Sequence, residues 1–357
     1  MKKAKEIVSK KRWKVDKETR NRLLSLVDKF FAARIDASLE LIDIEQFSSY
    51  FVTHVYKLVC LRNGEPVNYF AKFAYLPKGH IKRQRDRIKY EFDYTKIAFE
   101  LFDKCDNFDS VEPLDYFPEE AAFVMAEMQG TRLDKLLISA MRTISNRDNS
   151  LLYKTMNDAG AWLKTFQDRM PSAANPSLNY STFENRVNQY IEKIAILDPN
   201  LISKEFSCKL LNRTRSLLND FDANDFLCVT KHNDFAPWNL MLGQSGIIGF
   251  DYADCEFDSK YYDLYHFTRA LNTFKFKLIK KDNVIDECKQ YFLNGYGFNP
   301  STQHPTELYF NLFFSLERLH MLLRARLRNN GFVGTLKTLS QKRYFNWYVK
   351  ELQKLAG

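Results

Sequence analysis

Residues 231–266 read KHNDFAPWNLMLGQSGIIGFDYADCEFDSKYYDLYH, and they form the most informative stretch of the chain. Two largely apolar runs, 239–242 and 247–250, flank Gly-Gln-Ser-Gly, a pattern typical of a β-hairpin. Symmetric pairing about that turn sets Asn239 opposite Phe250, so we expect Asn239 to lie beside Asp251 at the open end of the hairpin. Both face the loop that carries Asp234. Mg²⁺ usually takes one or two carboxylates plus substrate phosphates, so Asn239 and Asp251 are the predicted metal ligands.

The length and composition of the chain indicate a globular protein. Its 357 residues are enough for two compact lobes, and 45% of them are hydrophobic. No apolar run approaches the ~20 residues that a membrane helix needs. The first residues, MKKAKEIVSKKRWK, are basic and lack the apolar core of a signal peptide. We therefore expect a cytoplasmic protein.

The formal charge of +9 raises the question of a nucleic-acid partner. The basic residues are dispersed, with denser patches at the amino terminus, in 80–89 and in 318–328. No zinc finger, basic zipper or ribonucleoprotein signature accompanies them, so we do not expect nucleic acid as the partner. The basic patches are interpreted either as solvated helix faces or as surfaces that attract an anionic nucleotide, phospholipid or polysaccharide. The six cysteines form no CxxC pair and are interpreted as reduced, buried thiols.

Hydrophobic periodicity divides the chain into a short β-rich part and a long helical part. An amphipathic helix over 16–31, capped by Asp16, precedes strands at 39–44, 52–60 and 67–75, a helix at about 84–103, and strands at 111–117 and 121–128. Beyond Gly130, helices are predicted at 132–145, 150–168, 183–197, 204–219, 259–273, 283–294, 305–328 and 335–355.

This order of elements predicts an α+β fold with two lobes. We divide the chain into a basic, helical N-terminal extension (1–37), a small antiparallel β lobe with one helix (38–126), and a large, mainly helical lobe (127–357). A cleft between two such lobes is a natural small-molecule site.

The motif residues follow a recognisable order. His232, Asp234 and Asn239 are spaced as His-x-Asp-x₄-Asn, Asp251 follows an apolar strand, and Asp263 comes twelve residues later. In this combination the chain resembles the aminoglycoside phosphotransferase and choline kinase-like superfamily, whose members share the two-lobed fold of protein kinases. The resemblance covers roughly 38–330, with its motifs concentrated in 228–267. The segment DFAPWN (234–239) also resembles the corresponding segment of phosphotransferases of polysaccharide and lipopolysaccharide biosynthesis.

The resemblance implies roles for the motif residues in phosphoryl transfer from ATP. Asp234 would orient the acceptor hydroxyl and accept its proton, and Asn239 and Asp251 would bind Mg²⁺. His232 and Asp263 would support the catalytic loop, the first by hydrogen bonds and the second by holding the loop backbone.

A kinase-like first lobe also implies a nucleotide site. Lys72, on the third strand, would contact the α- and β-phosphates, and Glu91, nineteen residues later, would be its ion-pair partner. The stretch MAEMQG (125–130) occupies the hinge position, where backbone groups of Glu127 and Met128 would receive the adenine.

One segment departs from the protein-kinase pattern. The turn expected between the first two strands, EQFSSYF (45–51), contains no glycine, although close backbone approach to phosphate is easiest for glycine. Ser48 and Ser49 could offer hydroxyl and N–H groups to the phosphates instead. The missing glycine leaves open a pseudokinase, a binding module that keeps the fold without transfer activity.

The function that we expect is an ATP- and Mg²⁺-dependent kinase acting on a hydroxyl of a small molecule or glycan, with a sugar of surface polysaccharide or lipopolysaccharide assembly favoured. Choline, ethanolamine and aminoglycosides are the alternative acceptors, for which the acidic, aromatic segment 251–263 would serve as a cation-binding box. The basic carboxy-terminal helices offer a docking surface for a lipid-linked acceptor at the inner face of the membrane.

Overall fold

The computed structural model describes residues 6–7, 16–34, 38–49, 53–77, 79–142, 149–171, 178–275, 282–298, 304–328 and 332–357. The chain divides into two compact units. The first comprises Met1–Thr131 and Asn239–Cys255, and the second comprises Arg132–Trp238 and Glu256–Gly357. This division differs from the lobes expected from the sequence, because the hairpin that begins at Asn239 joins the first unit.

A five-stranded antiparallel sheet, in the order β1-β2-β3-β6-β5, forms the framework of the first unit. The strand count and the antiparallel arrangement are as predicted. Strand β1 runs five residues further than predicted, with β-bulges at Leu41/Asp43 and Gln46/Ser48. The strands are β1 (Leu39–Ser49), β2 (Thr53–Arg62), β3 (Glu65–Ala74), β5 (Pro113–Phe117) and β6 (Ala122–Ala126).

Helix α1 (Lys17–Ala32) covers one face of this sheet. Its N-cap is Asp16, as predicted, whose side chain accepts a hydrogen bond from the N–H of Thr19 at 2.7 Å. The helix therefore belongs to the core of the first unit and is not a separate extension. Its buried side chains Leu23, Leu26, Val27 and Phe30 pack with Tyr56, Leu58, Tyr69, Ala71 and Phe73 of the sheet.

Helix α2 (Ile81–Phe102) follows β3, close to the predicted range. Ile88 of this helix is buried with Ala74, Ala121 and Phe123, and Phe92 packs against the same cluster. The burial places Glu91, on the next turn, inside the unit.

A second sheet of the first unit contains the predicted hairpin. Ile247 pairs with Leu242 and Gly249 with Leu240, which confirms the register inferred from the sequence. At the turn, Gly246 has φ +130°, and a β-carbon there would lie 2.0 Å from the carbonyl oxygen of Asn107. The sheet order is β4-β10-β9-β7, with β4 (Phe108–Ser110), β7 (Thr131–Arg132), β9 (Leu240–Leu242) and β10 (Ile247–Gly249).

Strand β4 was not predicted, and it explains why the hairpin joins the first unit. It pairs in parallel with β10, and the N–H of Val111 donates to the carbonyl of Gly249 at 3.1 Å. Backbone hydrogen bonds thus tie the hairpin to the segment that follows α2.

The second unit is mainly helical, as predicted. A two-stranded antiparallel ribbon, β8 (Cys228–Lys231) with β11 (Glu256–Ser259), adds one strand that the sequence did not indicate. Its helices are α3 (Leu133–Arg142), α4 (Ser150–Arg169), α5 (Tyr180–Leu197), α6 (Lys204–Asn219), α7 (Tyr261–Lys275), α8 (Asp282–Tyr296), α9 (Pro305–Arg328) and α10 (Phe332–Leu355).

Helices α4 and α8 approach each other closely where each carries a glycine. A β-carbon at Gly160 would lie 2.0 Å from the carbonyl oxygen of Phe292, and one at Gly295 would lie 1.8 Å from that of Asn157. Beside this crossing, Trp162 stacks on Phe235, in the loop that carries Asp234, with ring centroids 5.6 Å apart. The loop is therefore anchored in the aromatic core of the second unit.

The cysteines are free thiols, but not all are buried. Cys60, Cys255 and Cys288 are buried, Cys105 and Cys228 are half-buried, and Cys208 is exposed, which corrects the expectation of uniformly buried thiols. Within the part of the chain that the structure describes, no helix is both long and apolar enough to cross a lipid bilayer.

Candidate active site

Lys72 lies at the centre of a buried charge cluster in the first unit. Its ammonium group forms an ion pair with Glu91 of α2, and its Nζ lies 2.8 Å from Oδ1 of Asp251, just after β10. The structure thus brings together three of the residues that the sequence selected for the nucleotide and metal site. The Lys72 and Glu91 side chains are 10% and 3% exposed, whereas Asp251 is 39% exposed. Asp251 is therefore the member of the cluster that solvent or a ligand reaches.

Burial and the neighbouring charges shift the pKa values of Lys72 and Glu91 in opposite directions. Burial alone would lower the pKa of Lys72, but the Asp251 and Glu91 carboxylates outweigh it and hold the pKa above its ordinary value. Burial raises the pKa of Glu91, and the Lys72 ammonium opposes that shift. Lys72 consequently stays a cation, suited to binding phosphate oxygens.

Asp251 has an uncommon backbone conformation. Its φ is +71°, in the left-handed region that few residues other than glycine adopt, although Asp and Asn tolerate it better than most. The N–H of the preceding Phe250 donates to the carbonyl of Asn239 at 3.2 Å, as the predicted pairing requires. Asn239 is buried, and so both predicted metal ligands lie at the open end of the hairpin.

The donors at this hairpin fit a hard cation. An amide and a carboxylate supply oxygen ligands, which Mg²⁺ prefers, and they leave room for phosphates and water. Among the described residues, no group of three or more His, Cys, Asp or Glu side chains is arranged to hold a metal ion. A metal bound here would take most of its ligands from the nucleotide and from water.

The sheet face that carries Lys72 includes three residues that the sequence interpretation missed. Side chains alternate along a strand, and residues directly opposite on antiparallel neighbours share a face. Asn68, Phe70 and Lys72 therefore point to the same side of β3, and Lys57, paired with Phe70, joins them from β2. Counting back from Lys72 by two residues at a time gives Phe70 and Asn68, so alternation in the sequence could have found both. The residues between them face α1 on the opposite side of the sheet.

Phe70 is the half-buried aromatic residue on this face. Its ring packs edge to face against Phe47 of β1, with centroids 5.0 Å apart, and Phe47 is 64% exposed. Phe70, two residues before Lys72, and the adjacent Phe47 thus form a surface on which a flat nucleobase can pack.

The hinge segment offers fewer backbone groups than expected. The N–H of Glu127 donates to the carbonyl of Asn68 at 3.3 Å and is thus occupied. The N–H of Met128 makes no hydrogen bond within the described ranges, so of the two expected N–H groups it is the one that a base can use.

A cavity of about 270 Å³ lies beside the hinge, within the first unit. None of Lys72, Glu91, Asp251 or Phe70 lines it, whereas the hinge residues Glu127, Met128 and Gln129 do. Its walls are Phe99, Asp109, Ser110, Glu112, Ala126, Glu127, Met128, Gln129, Gln244, Ser245 and Ile248.

Ser48 and Ser49 occupy the end of a strand and not a loop. They pair with Val55 and His54 of β2, which corrects the expectation of a turn over 45–51. Residues 50–52 lie outside the described residues, so the phosphate-covering role of this segment stays a prediction.

In the second unit, the loop that carries Asp234 is held by Asp263. One carboxylate oxygen accepts the backbone N–H of His232 at 2.6 Å, and the other accepts that of Asn233 at 2.9 Å. Burial raises the pKa of Asp263 to about 7, although these two N–H groups and Lys231 oppose the shift. The His232 ring is buried beside Phe166 and Phe235.

Asp234 lies two residues after His232 and is half-buried. The preceding residue, Asn233, has φ +70°, and the following Phe235 is fully buried. The loop backbone around Asp234 is thus held on both sides.

The acidic residues that suggested a cation-binding box are already paired with basic side chains. Asp254, in the first unit, forms an ion pair with Arg87 at 2.8 Å. In the second unit, the Nζ of Lys231 lies 2.6 Å from Asp258 and 2.9 Å from Glu256, and Arg186 approaches Asp258 at 2.7 Å. Each of the three carboxylates therefore has its own cation in the protein.

Sequence comparisons give no relative: no family model matches the chain, and no curated protein matches it. Solved structures do match over nearly the whole chain. An aminoglycoside phosphotransferase, APH(4)-Ia, in complex with ADP and hygromycin B is 12% identical, with a TM-score of 0.56, over 92% of this chain and 97% of the other. An amicoumacin kinase bound to AMP-PNP, Ca²⁺ and amicoumacin is 16% identical, with a TM-score of 0.50, over 95% and 96%.

A choline kinase from Cryptosporidium parvum is 14% identical to the chain, with a TM-score of 0.51, over 88% of this chain and 90% of the other. At these identities the likeness concerns the fold, and it agrees with the α+β, kinase-like architecture predicted from the motif residues. The chain therefore has the protein-kinase-like fold that aminoglycoside phosphotransferases share with choline kinase.

Proposed function

We propose that the protein is an ATP- and Mg²⁺-dependent phosphotransferase that acts on a hydroxyl group of a small molecule. The observation that carries this proposal is the ion-paired cluster of Lys72, Glu91 and Asp251. A buried lysine held between two carboxylates is costly to maintain for stability alone. It is the arrangement that phosphoryl transfer requires for neutralising phosphate charge.

The nucleotide would bind along the Lys72 face of the first unit. Lys72 would contact the α- and β-phosphates while Glu91 keeps its ammonium in place, and Asp251 and Asn239 would hold Mg²⁺. Phe70 would pack against the base, and the Met128 N–H would donate to it. AMP-PNP with Ca²⁺ is bound in the amicoumacin kinase and ADP in the phosphotransferase, which supports an adenine nucleotide and a divalent cation as ligands of this fold.

The reaction would transfer the γ-phosphoryl group to the acceptor oxygen. Asp234 would accept the hydroxyl proton as the oxygen–phosphorus bond forms, and the bond between the γ-phosphorus and the bridging oxygen of ADP would break. Asp263 and His232 would act indirectly, by holding the loop that presents Asp234.

For the acceptor we propose a sugar hydroxyl, in the assembly of surface polysaccharide or lipopolysaccharide. The paired state of Asp254, Glu256 and Asp258 supports a neutral or anionic acceptor over choline, ethanolamine or an aminoglycoside, because these three carboxylates already have basic partners in the protein. Since the reaction needs ATP, we place it in the cytoplasm, with a lipid-linked acceptor reached at the inner face of the membrane.

The test is ADP release from MgATP by the wild-type protein and by Asp234→Asn, measured across sugars, lipopolysaccharide fragments, choline, ethanolamine and aminoglycosides. We expect release that depends on a sugar acceptor and that falls by about 10²- to 10⁴-fold in the variant, the usual contribution of a general base. ADP release that depends only on the amine acceptors would show that the acceptor is an amine and not a sugar. Binding of MgATP without turnover on any acceptor, equal in both proteins, would favour a pseudokinase.

A further inference from the structure

We infer that Lys57, Asn68 and Gln129 hold the carboxylate of Glu127 so that the hinge segment keeps the position in which it binds the nucleobase. We call these four residues the hinge clamp. The inference rests on the proposed function, since it concerns the nucleotide of the same site. It assigns to the Glu127 side chain a positioning role, in addition to the backbone contact expected from the sequence.

Three side chains donate to one carboxylate in the hinge clamp. Lys57 donates to Oε1 of Glu127 at 2.8 Å, while Asn68 and Gln129 donate to Oε2 at 2.8 Å and 2.9 Å. Asn68 also accepts the backbone N–H of Glu127 at 3.3 Å. Glu127 is therefore joined to β2 and β3 by its side chain and to β3 by its backbone.

The hinge clamp lies on the face of the sheet that carries Lys72. Lys57 is directly opposite Phe70, and Asn68 precedes Phe70 by two residues on the same side of β3. The clamp is thus at the hinge end of this face, and Phe70 lies between it and Lys72. The N–H of Met128, the donor left for the base, belongs to the residue next to Glu127.

Partial burial strengthens these contacts. The Lys57 and Glu127 side chains are 23% and 20% exposed, so water screens the ion pair less than a pair on the open surface. Burial would raise the pKa of Glu127, but the hydrogen bonds from Asn68 and Lys57 outweigh it and lower the pKa. The carboxylate stays charged at neutral pH, and hydrogen bonds to a charged acceptor are the stronger kind.

The separation of the clamp from Lys72 gives the inference a specific consequence. Loosening the hinge weakens binding of the base but leaves the phosphate-binding cluster of Lys72, Glu91 and Asp251 intact. Adenosine and ATP should then lose affinity, whereas inorganic tripolyphosphate with Mg²⁺ should not. A variant that merely destabilised the first unit would weaken all three ligands together.

The experiment measures dissociation constants of adenosine, MgATP and Mg-tripolyphosphate for the wild type, Lys57→Met and the charge swap Lys57→Glu with Glu127→Lys. The control is Lys96→Met, which removes an exposed lysine whose partner Glu100 lies 3.8 Å away on the same helix. We expect Lys57→Met to weaken adenosine and MgATP about tenfold, the effect of losing one charged hydrogen bond, with tripolyphosphate unchanged. The swap should recover most of that loss, because the amides of Asn68 and Gln129 can present either oxygen or nitrogen.

Three results would overturn the inference. Unchanged adenosine affinity in Lys57→Met would show that the clamp does not position the hinge. Equal loss for all three ligands, with no recovery in the swap, would show a general structural role. If the wild-type protein bound neither adenosine nor MgATP, the proposed function itself would fail, and the inference with it.

Discussion

Two residues of the candidate site adopt left-handed backbone conformations without being glycine. Asn233 has φ +70°, just before Asp234, and Asp251 has φ +71°, beside Lys72. Such conformations persist where the surroundings determine them, and they concentrate at functional sites. Here Asp263 holds the backbone at Asn233, and the ion pair with Lys72 holds the side chain of Asp251.

At the residue scale, the first prediction concerns Lys72. Lys72→Met should lower turnover by about 10²- to 10³-fold, because the phosphates would lose a preorganised charge in a partly dehydrated site. Lys96→Met, which removes an exposed lysine of α2, serves as the matched control. Steady-state turnover measures the effect, and a wild-type rate in Lys72→Met would remove this residue from the site.

His266 gives a prediction about pH and stability. Burial, reinforced by the charge of Arg269, lowers the pKa of His266 to about 4, and its Nδ1 lies 3.1 Å from the carbonyl oxygen of Phe235. The unfolded chain, with an ordinary histidine pKa near 6.5, therefore binds the proton more readily between about pH 4 and 6.5. The stability that depends on neutral His266 is complete above about pH 6.5 and is lost as the pH falls.

The expected loss from this one group is on the order of 3 kcal/mol between pH 7 and pH 4. Denaturant unfolding of the wild type and of His266→Gln across this range measures it. The variant should be less stable than the wild type at pH 7, and its stability should fall less steeply with acid. Parallel pH profiles for the two proteins would refute the assignment.

The sequence predicted the charged residues of the site better than the residues around them. Lys72 is conspicuous because it interrupts an apolar strand. Glu91 lies nineteen residues later, in a segment whose apolar residues recur at helical spacing. Lys57 carries no such signal, since a half-exposed strand face tolerates many polar residues, and Asn68 is indicated only by its alternation with Lys72 along β3. Their partner Glu127 becomes evident only once β2, β3 and the hinge are placed side by side.

At the element scale, α1 should contribute to the stability of the first unit. Phe30→Ala should destabilise the protein by about 3–5 kcal/mol, because the ring is fully buried and packs edge to face with Tyr69. Asn21→Ala, at an exposed position of the same helix, is the control. Chemical denaturation compares the two, and equal stability would mean that α1 is only loosely attached to the sheet.

The crossing of α4 and α8 gives a second prediction at this scale. Alanine normally stabilises a helix relative to glycine by about 1 kcal/mol. Gly160→Ala should instead destabilise the protein by about 1–3 kcal/mol or more, since its β-carbon would overlap the backbone of Phe292. Gly295→Ala should act in the same direction. A rise in unfolding temperature for either variant would contradict the close approach.

Helices were predicted more completely than strands, for a physical reason. The predicted bounds 204–219 and 305–328 agree with α6 and α9, because the helical spacing of apolar residues recurs over several turns within each helix. Strands β4 and β11 have three and four residues, too few for an alternating pattern to emerge. Both exist through pairing with distant segments, β10 and β8, which no local pattern specifies.

At the scale of the whole molecule, local sequence patterns predicted the order of the elements but not the grouping of the hairpin. Local patterns predicted β9 and β10 from their own residues and the Gly-rich turn. Their membership of the first unit depends on the parallel pairing of β10 with β4, a contact between segments far apart in the chain. The motif spacing predicted the kinase-like fold because it reflects chemistry that the fold has to position.

The most direct test of the proposed nucleotide site is ATP binding by calorimetry, with and without Mg²⁺, in the wild type, Asp251→Ala and Asp234→Asn. We predict Mg²⁺-dependent binding in the wild type and a loss of the Mg²⁺ dependence in Asp251→Ala. Asp234→Asn should bind nearly as the wild type does, because this residue acts on the acceptor. Mg²⁺-dependent binding that persists unchanged in Asp251→Ala would contradict the proposed nucleotide site.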